Sequence, residues 1–391
     1  MTHDVVISGA GSAGLSTAIF CARAGLDVLV LEKYSKTGVF PRGETMRPDP
    51  IITELLGPDF MDQISFNRTA LRRYYSPGCR EFFSLERDHA SYIFHWKDLT
   101  EGLKKIAEQE GVTVLMNHEV IAPVERNGNA VAVITGDGKI RRGTTIVAAD
   151  GHNSILGRKS GLNYRRINSP IAKRICSGIE SDFSGMEFFI ITPGTLPELK
   201  SHPPMIAFIF PRGDGDAEAG VMVITGAMPP GKRGDAPSGA ELLKILKILW
   251  ETYPVFSDRL KKADVSFEGA SIIPMAGMHH EASAIPGLIL TGDTIGLVEA
   301  SGGCGIVACM KNGKFLSRFL VDNGVDNGVN EWNNRLMKQY NREFKKSDIY
   351  RHISGKYSKL LPVMRLLLNR KWRHTSFDRL WRVMGQFNRK V

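Results

Sequence analysis

Hydrophobic positions are most regular at the start of the chain. Asp4-Val5-Val6-Ile7-Ser8 is a short apolar run, Leu15–Ala24 carries apolar residues at helical spacing, and Asp27–Leu31 is a second apolar run ending in Glu32. Gly9–Gly14 separates the first run from the helical stretch, and Gly25 stops it. This pattern predicts β–turn–helix–β within the length of a βαβ unit. Farther along, amphipathic spacing predicts a helix over Asp98–Glu110 and, after Gly111, a strand over Val112–Met116. Ala130–Thr135 and Lys139–Arg142 predict a hairpin about Asp137-Gly138, and Thr145–Ala149 a buried strand ending at Asp150-Gly151. The Gly-, Pro- and charge-rich stretch Val39–Pro50 predicts a loop.

The texture changes from about Ala172 to Gly226. Ile175–Ser181, Met186–Thr192, Met205–Phe210 and Ala219–Thr225 are short strand-like runs between turns, which predicts a separate antiparallel sheet. Gly239–Leu249 predicts a helix, Leu288–Thr291 a buried strand and Gly305–Leu320 another helix. The organisation expected is a first domain over residues 1–170, with a second-domain segment at about 40–97, an antiparallel-sheet domain over 171–270, a return to the first domain over 271–330, and a helical region over 331–391 broken near Gly355 and Pro362.

Composition narrows the class. With 42% hydrophobic and 24% charged residues in 391, the chain is globular, not disordered or fibrous. Charge is concentrated in one place. Of 51 Lys+Arg and 41 Asp+Glu, residues 341–391 hold 14 and 3, leaving 37 and 38 for the first 340 residues. A neutral body with a tail of net +11 points to an anionic partner, a lipid surface or a nucleic acid. The tail also interleaves apolar and aromatic residues with cations, in Leu360–Leu368, Arg370–Arg373, Phe377, Leu380, Trp381, Val383 and Met384. An interfacial helix needs that mixture, and a helical pair docked on its own domain produces it too. No recognition fold for nucleic acid accompanies the charge. A strand begins at Asp4, where a signal peptide would need its n- and h-regions, and no apolar stretch is long enough to span a bilayer. A cytoplasmic protein is expected, peripheral on the inner face of the membrane if the tail docks there. The five irregularly spaced cysteines fit reduced thiols, and His279-His280 has no third ligand at metal spacing, so no metal is expected.

Three motifs carry chemistry. In Gly9-x-Gly11-Ser12-Ala13-Gly14 the glycines permit a tight turn, backbone approach to a pyrophosphate and close helix packing, and Glu32 lies 18 residues past Gly14, where a carboxylate can accept ribose hydroxyls, with Lys33 beside it. The second motif is Ile146–Asp150-Gly151–Ser154. The third is Gly292-Asp293-Thr-Ile-Gly296, with Gly302-Gly303-Cys304-Gly305-Ile306 opening the next helix.

In this order the three resemble the motifs of FAD-dependent oxidoreductases with the para-hydroxybenzoate hydroxylase fold, over roughly residues 1–313. The resemblance implies an α/β fold: a Rossmann-like FAD-binding domain with an inserted antiparallel-sheet substrate domain and a helical C-terminal tail. It implies FAD held by Gly9, Gly11, Ser12, Ala13, Gly14, Glu32 and Lys33, by Asp150 and Gly151, by Gly292 and Asp293 at the ribityl chain, and by Gly303, Gly305 and Ile306 near the flavin. Within the superfamily, Gly292-Asp-Thr-Ile-Gly296, Gly302–Ile306, Met310-Lys-Asn-Gly-Lys314 and Phe208-Ile-Phe-Pro-Arg-Gly213 are similar to the geranylgeranyl reductase branch. That branch implies reduction of carbon–carbon double bonds in a prenyl or other lipid-like substrate, with NADPH or ferredoxin as electron donor. Its early Cys-Gly-Glu stands here as Arg42-Gly43-Glu44, and Phe40–Pro48 also resembles a loop of flavin-dependent halogenases. A flavin monooxygenase or halogenase, and a flavoprotein passing electrons to a membrane quinone, are the rival readings. Arg42 is a cofactor-side candidate, or one half of a loop salt bridge with Glu44. Candidate catalytic groups are Glu299, Cys304 and Glu44. A helix N-terminus lowers a thiol pKa, which would favour a reactive Cys304; close backbone packing is the alternative.

Overall fold

The first apolar run becomes β1 (Thr2–Ser8), followed by α1 (Ser12–Arg23) and β2 (Val28–Leu31) in a computed structural model that describes residues 2–161, 168–199, 201–275, 278–299, 303–325, 331–368 and 378–383. Next come β3 (Gly43–Met46), α2 (Pro50–Leu56), α3 (Phe60–Ile64), β4 (Ser65–Tyr75), β5 (Phe82–His95), α4 (Trp96–Gln109) and β6 (Thr113–Leu115). The chain continues through β7 (Val120–Arg126), β8 (Asn129–Thr135), β9 (Ile140–Ala148), α5 (Ile155–Lys159), β10 (Ser169–Ser177), β11 (Met186–Ile191), β12 (Met205–Gly213) and β13 (Asp216–Val223). It closes with α6 (Gly239–Thr252), α7 (Phe256–Leu260), β14 (Asp264–Ile273), β15 (Leu288–Leu290), α8 (Ile306–Asp322), α9 (Asn334–Lys346) and α10 (Asp348–Leu368).

Among the described residues, two sheets organise the molecule. The first has the order β6-β2-β1-β9-β8-β7, with β15 pairing β9. β2, β1, β9 and β15 run parallel, with Ser8 beside Leu31 and Ala148, and Leu290 beside Ala148. All four strands therefore end at one edge, and Gly9, Glu32, Asp150 and Gly292 all follow that edge. In open α/β sheets this C-terminal edge is where ligands bind. The strands are continuous apolar runs because both faces are covered. β15 returns after the inserted sheet, so residues 288–290 rejoin the domain that residues 2–8 began.

The second sheet has the order β14-β10-β13-β12-β11-β4-β5-β3, antiparallel except for the β11–β4 pair. It draws on residues 43–95 as well as on 169–273, so the 40–97 segment and the inserted sheet form one surface. Alternation along β12 separates its faces. Ala207 and Ile209 pack with Leu242, Leu246 and Leu249 of α6, while Phe208 packs on the opposite side with Ile171, Met222, Met275 and Val298. Helix α6 starts at a capping box, Ser238 accepting from Glu241 N–H and Glu241 accepting from Ser238 N–H.

Two expectations are corrected. Val39–Pro50 is not all loop: Gly43–Met46 pairs antiparallel with Tyr92–His95 as an edge strand, where turn-forming residues are tolerated. The C-terminal helices do not break at Gly355 or Pro362; the break is at Ser347, and α10 runs through both residues. An internal proline costs ~3 kcal/mol. Burial of Ile353 and the bond from Arg365 Nε to Gly226 O (3.1 Å) tie the helix down on either side of it.

The tail docks on the body. Tyr340 and Phe344 of α9 are fully buried, with Phe315, Phe319 and Trp332 around Tyr340. Trp381 packs on Phe83 and Ile190 of the second sheet and donates to Tyr74 O (2.9 Å). Among the described residues no helix is long and apolar enough to cross a membrane. Arg370–Arg373, Phe377 and Met384 lie outside the described residues, as do Ala300 and Gly302.

Candidate cofactor site

The turn after β1 is built by contact. Gly9 has φ of +105°, and any Cβ there would run into Ala149 O; a Cβ on Gly14 would run into Gly9 O. These two glycines let β1, β9 and α1 meet. Gly11 differs, because the nearest atom to a Cβ there is Trp96 Cζ2 at 4.0 Å, so its backbone faces open space. Gly11 is the N-cap of α1 and gives it no side-chain cap, so first-turn N–H groups at Ser12 and Ala13 are available to an anion. Glu32 braces the turn: Oε2 accepts from Ala10 N–H (2.7 Å) and Oε1 from Tyr34 N–H (3.0 Å). Each carboxylate oxygen keeps a further lone pair. Lys33 extends over the Tyr34 ring (4.8 Å).

The other two motifs converge on that turn. Asp150 Oδ2 accepts from Ile155 N–H (2.8 Å) and Leu156 N–H (3.3 Å), so it caps α5. Thr294 Oγ donates to Gly151 O (3.2 Å) and lies 3.4 Å from Asp150 Oδ1. Gly292 has φ of +63° and backs onto α1, where a Cβ would stand 2.6 Å from Ala13 Cβ. The short 3-10 turn Gly292–Thr294, which carries Asp293, is thus wedged between the Asp150-Gly151 turn and α1. After it the chain folds tightly back, with Gly303 N–H donating to Glu299 O and Glu299 N–H to Cys304 O, both at 2.9 Å. Gly305 then serves as the N-cap of α8, again without a side-chain cap.

The second sheet reaches this edge through β3. Arg42 O accepts from Trp96 N–H (3.0 Å), the Arg42 guanidinium lies 4.3 Å above the Trp96 ring, and Arg42 Nε pairs with Glu44 (3.0 Å). Lys173 donates to Gly43 O (3.3 Å) and pairs with Glu218 (2.7 Å). A cavity of about 350 Å³ lies between Thr45–Asp49, the start of α8 and the first turns of α10. Met46, Ile306, Val307, Ile349 and Ile353 give it apolar walls, and Arg47, Glu299 and His352 meet at its side. Glu299 accepts from Arg47 (2.8 Å) and from His352 Nε2 (2.9 Å).

Comparison with known proteins decides what this edge holds. The FAD dependent oxidoreductase family matches residues 4–156. The digeranylgeranylglycerophospholipid reductase of Haloferax volcanii is 26% identical over 386 residues, covering 93% of this chain and 90% of the relative. Among solved structures, a geranylgeranyl bacteriochlorophyll reductase-like protein from Thermoplasma acidophilum superposes with a TM-score of 0.79 at 20% identity, covering 98% of this chain and 92% of the other. A p-nitrophenol 4-monooxygenase from Pseudomonas putida shares the fold, with a TM-score of 0.72 at 16% identity and coverage of 99% and 95%. The chain is an FAD-dependent oxidoreductase, similar along nearly its whole length to reductases of geranylgeranyl lipids.

The residues of this oxidoreductase fit FAD. The bare Gly11 backbone and the uncapped first turn of α1 offer a pyrophosphate cradle, and Glu32 stands at the end of β2 with lone pairs to spare. The turn carrying Asp293 and the uncapped start of α8 follow β15 on the same edge, and would hold the flavin half. Asp150 is engaged as a cap and a tie between turns, so its role here is to hold the Gly292–Thr294 turn in place.

The catalytic candidates of the flavoprotein fare differently. The Cys304 thiol is not activated: burial, then the nearby carboxylates of Glu299 and Glu44, push it up to about 11. Desolvation outweighs any help from the helix N-terminus. Glu44 is paired with Arg42, so the loop salt bridge is present. Glu299 is the carboxylate that accepts from both Arg47 and His352. Sequence reasoning did not find Trp96, Arg47, His352 or the Lys173–Glu218 pair, because each acts across a distance in sequence that no motif spans.

Proposed function

We propose that this flavoprotein reduces carbon–carbon double bonds of a prenyl or other lipid-like substrate. The observation that carries the reading is the apolar face of the second sheet where it meets Val298 and Gly303. Phe208 and Phe210 stack there at 4.5 Å, Ile171, Met222, Met275 and Val298 are buried about them, and Ile273 and Met275 flank Gly303. Such a wall holds an isoprenoid chain by burial alone, at ~25 cal/mol per Å² of apolar surface removed from water. Reduced FAD, when bound, supplies the hydride. The protein's share is to align the chain along the aromatic wall, exclude water, and stabilise negative charge with the uncapped N-terminus of α8. The full-length relatives support the substrate class by their names, digeranylgeranylglycerophospholipid reductase among them. NADPH or a ferredoxin would bring the electrons, and anaerobic bleaching of the flavin by one of them identifies the donor.

The test is anaerobic incubation of the reduced protein with polyprenyl lipids, followed by mass spectrometry. The expected product gains two hydrogens per reduced bond. Unchanged lipid there, together with a parallel aerobic assay in which oxygen is consumed in step with hydroxylation or halogenation of another compound, would overturn the reading in favour of the monooxygenase class. Reoxidation by a quinone faster than any lipid reduction would favour an electron carrier.

A further inference from the structure

Helix α9 presents two unlike faces. Tyr340, Asn341 and Phe344 are buried, while Arg335, Lys338, Arg342, Lys345 and Lys346 are exposed. At 100° per residue these five cations fall within roughly 100° of arc, opposite the buried face, and extend over about 16 Å of helix. Among the described residues no ion pair engages any of the five. The contrast with other helices is direct: Lys97–Glu101, Lys104–Glu108, Lys247–Glu251 and Arg318–Asp322 are i,i+4 pairs. Nearby carboxylates are few. Glu343 accepts from Gln339, and Glu281 shares with the cations a surface groove of about 490 Å³ floored by Ala284 and Met337.

We propose that this stripe docks on the anionic headgroups of a lipid bilayer, electrostatically and without inserting the helix. The proposal rests on the lipid reading above and places the contact on α9, ahead of the 360–384 stretch that the sequence offers as an interfacial helix. The side chains that insertion would use, Tyr340 and Phe344, are already part of the protein core. What remains outside on α9 is polar and cationic, and cations spread over about 16 Å of helix fit a plane of many anions better than a single small ligand. Each cation adds a similar increment at an anionic surface, and the sum is screened by salt.

The experiment uses the full chain with FAD bound, sedimented with vesicles of phosphatidylcholine with or without phosphatidylserine. Binding is expected only with phosphatidylserine, and is expected to vanish as salt is raised to about 0.5 M. Lys338→Glu with Arg342→Glu should weaken it at least about tenfold, with FAD content and melting temperature unchanged. Arg342→Lys should retain it. If the double reversal melts early, the neutral pair Lys338→Gln and Arg342→Gln carries the same expectation at smaller size. Equal binding to neutral vesicles, binding that survives high salt, or binding untouched by reversal overturns the proposal. So does a reversal that weakens only binding to nucleic acid or to an acidic protein. Reduction of a detergent-dispersed prenyl lipid should be unchanged in the variants. Its absence in the unaltered protein would strike the lipid reading and leave the vesicle result standing by itself.

Discussion

The carboxylate of Glu218 occupies the space that a side chain on Gly43 would need. A Cβ at position 43 would run into Glu218 Oε2, and Glu218 is buried and held by Lys173 at 2.7 Å. The inserted sheet thereby grips the strand that carries Arg42, Glu44 and Arg47 toward the cofactor edge. Gly43→Ala should push Glu218 off Lys173 at a cost of about 1–3 kcal/mol, seen as a lower melting temperature and a lower flavin-to-protein absorbance ratio. Adding Glu218→Ala should restore part of both. Full flavin content in Gly43→Ala alone would show that the grip does not matter.

Gly11 and Gly14 belong to one motif and yet should fail in different ways. A Cβ on Gly14 collides with Gly9 O, so Gly14→Ala should destabilise the protein even without FAD. A Cβ on Gly11 meets nothing closer than 4.0 Å, so Gly11→Ala should leave the melting temperature of the apoprotein unchanged. It should weaken FAD binding at least about tenfold, because the new methyl stands where the backbone must approach a pyrophosphate. Titration of both apoproteins with FAD, beside thermal melts without it, separates the two. A Gly11→Ala variant with ordinary affinity would place the pyrophosphate elsewhere.

That contrast also marks what was legible in the sequence. The glycine turn, Glu32, Asp150-Gly151 and Gly292-Asp293 could be read because each follows a parallel strand, and parallel strands end at one edge. Strands β4 and β5 were invisible because Phe82–His95 carries charge on exposed positions, and half-solvated strands dilute the apolar signal. The tail stayed open between two readings for a related reason. Its mixture of aromatic residues and cations is the same whether the apolar side meets lipid or, as with Tyr340 and Phe344, the protein core. Only packing against α8 distinguishes them. Arg47, Glu299 and His352 come from three segments, and nothing local in any of them announces the others.

The cysteines should be inert at neutral pH. Burial raises Cys21, Cys79 and Cys176 to about 12, Cys304 to about 11 and Cys309 higher still. Only the thiolate is nucleophilic, so at pH 7.5 well under one thiol in a thousand is in reactive form. Iodoacetamide on the native protein should label none of the five over a time that labels the unfolded chain fully. Cys304→Ser should keep turnover. Rapid labelling of Cys304 at pH 7.5 would show an activated thiol and reinstate it as a catalytic group.

Acid stability should be set in part by two histidines that the fold keeps neutral. His202 is buried, and its Nε2 accepts from Gly194 N–H (3.2 Å) and Leu196 N–H (3.3 Å), bonds that a protonated nitrogen would lose. Burial holds its pKa below the ordinary value. His95 is lowered too, first by burial and then by the Arg212 guanidinium, which donates to its Nδ1 at 3.0 Å. Both bind protons more weakly in the folded than in the unfolded chain, where an ordinary histidine titrates near ~6.5. Between the folded value and ~6.5 the unfolded state therefore carries more protons, and stability rises with pH. The contribution is complete above ~6.5 and is lost as pH falls through the folded values. Denaturant melts between pH 7.5 and 5 should show this decline. His202→Gln, whose amide oxygen accepts without titrating, should be less stable at pH 7.5 yet flatter below ~6.5. A variant curve that parallels the unaltered protein throughout would remove His202 from the account and leave the decline to His95.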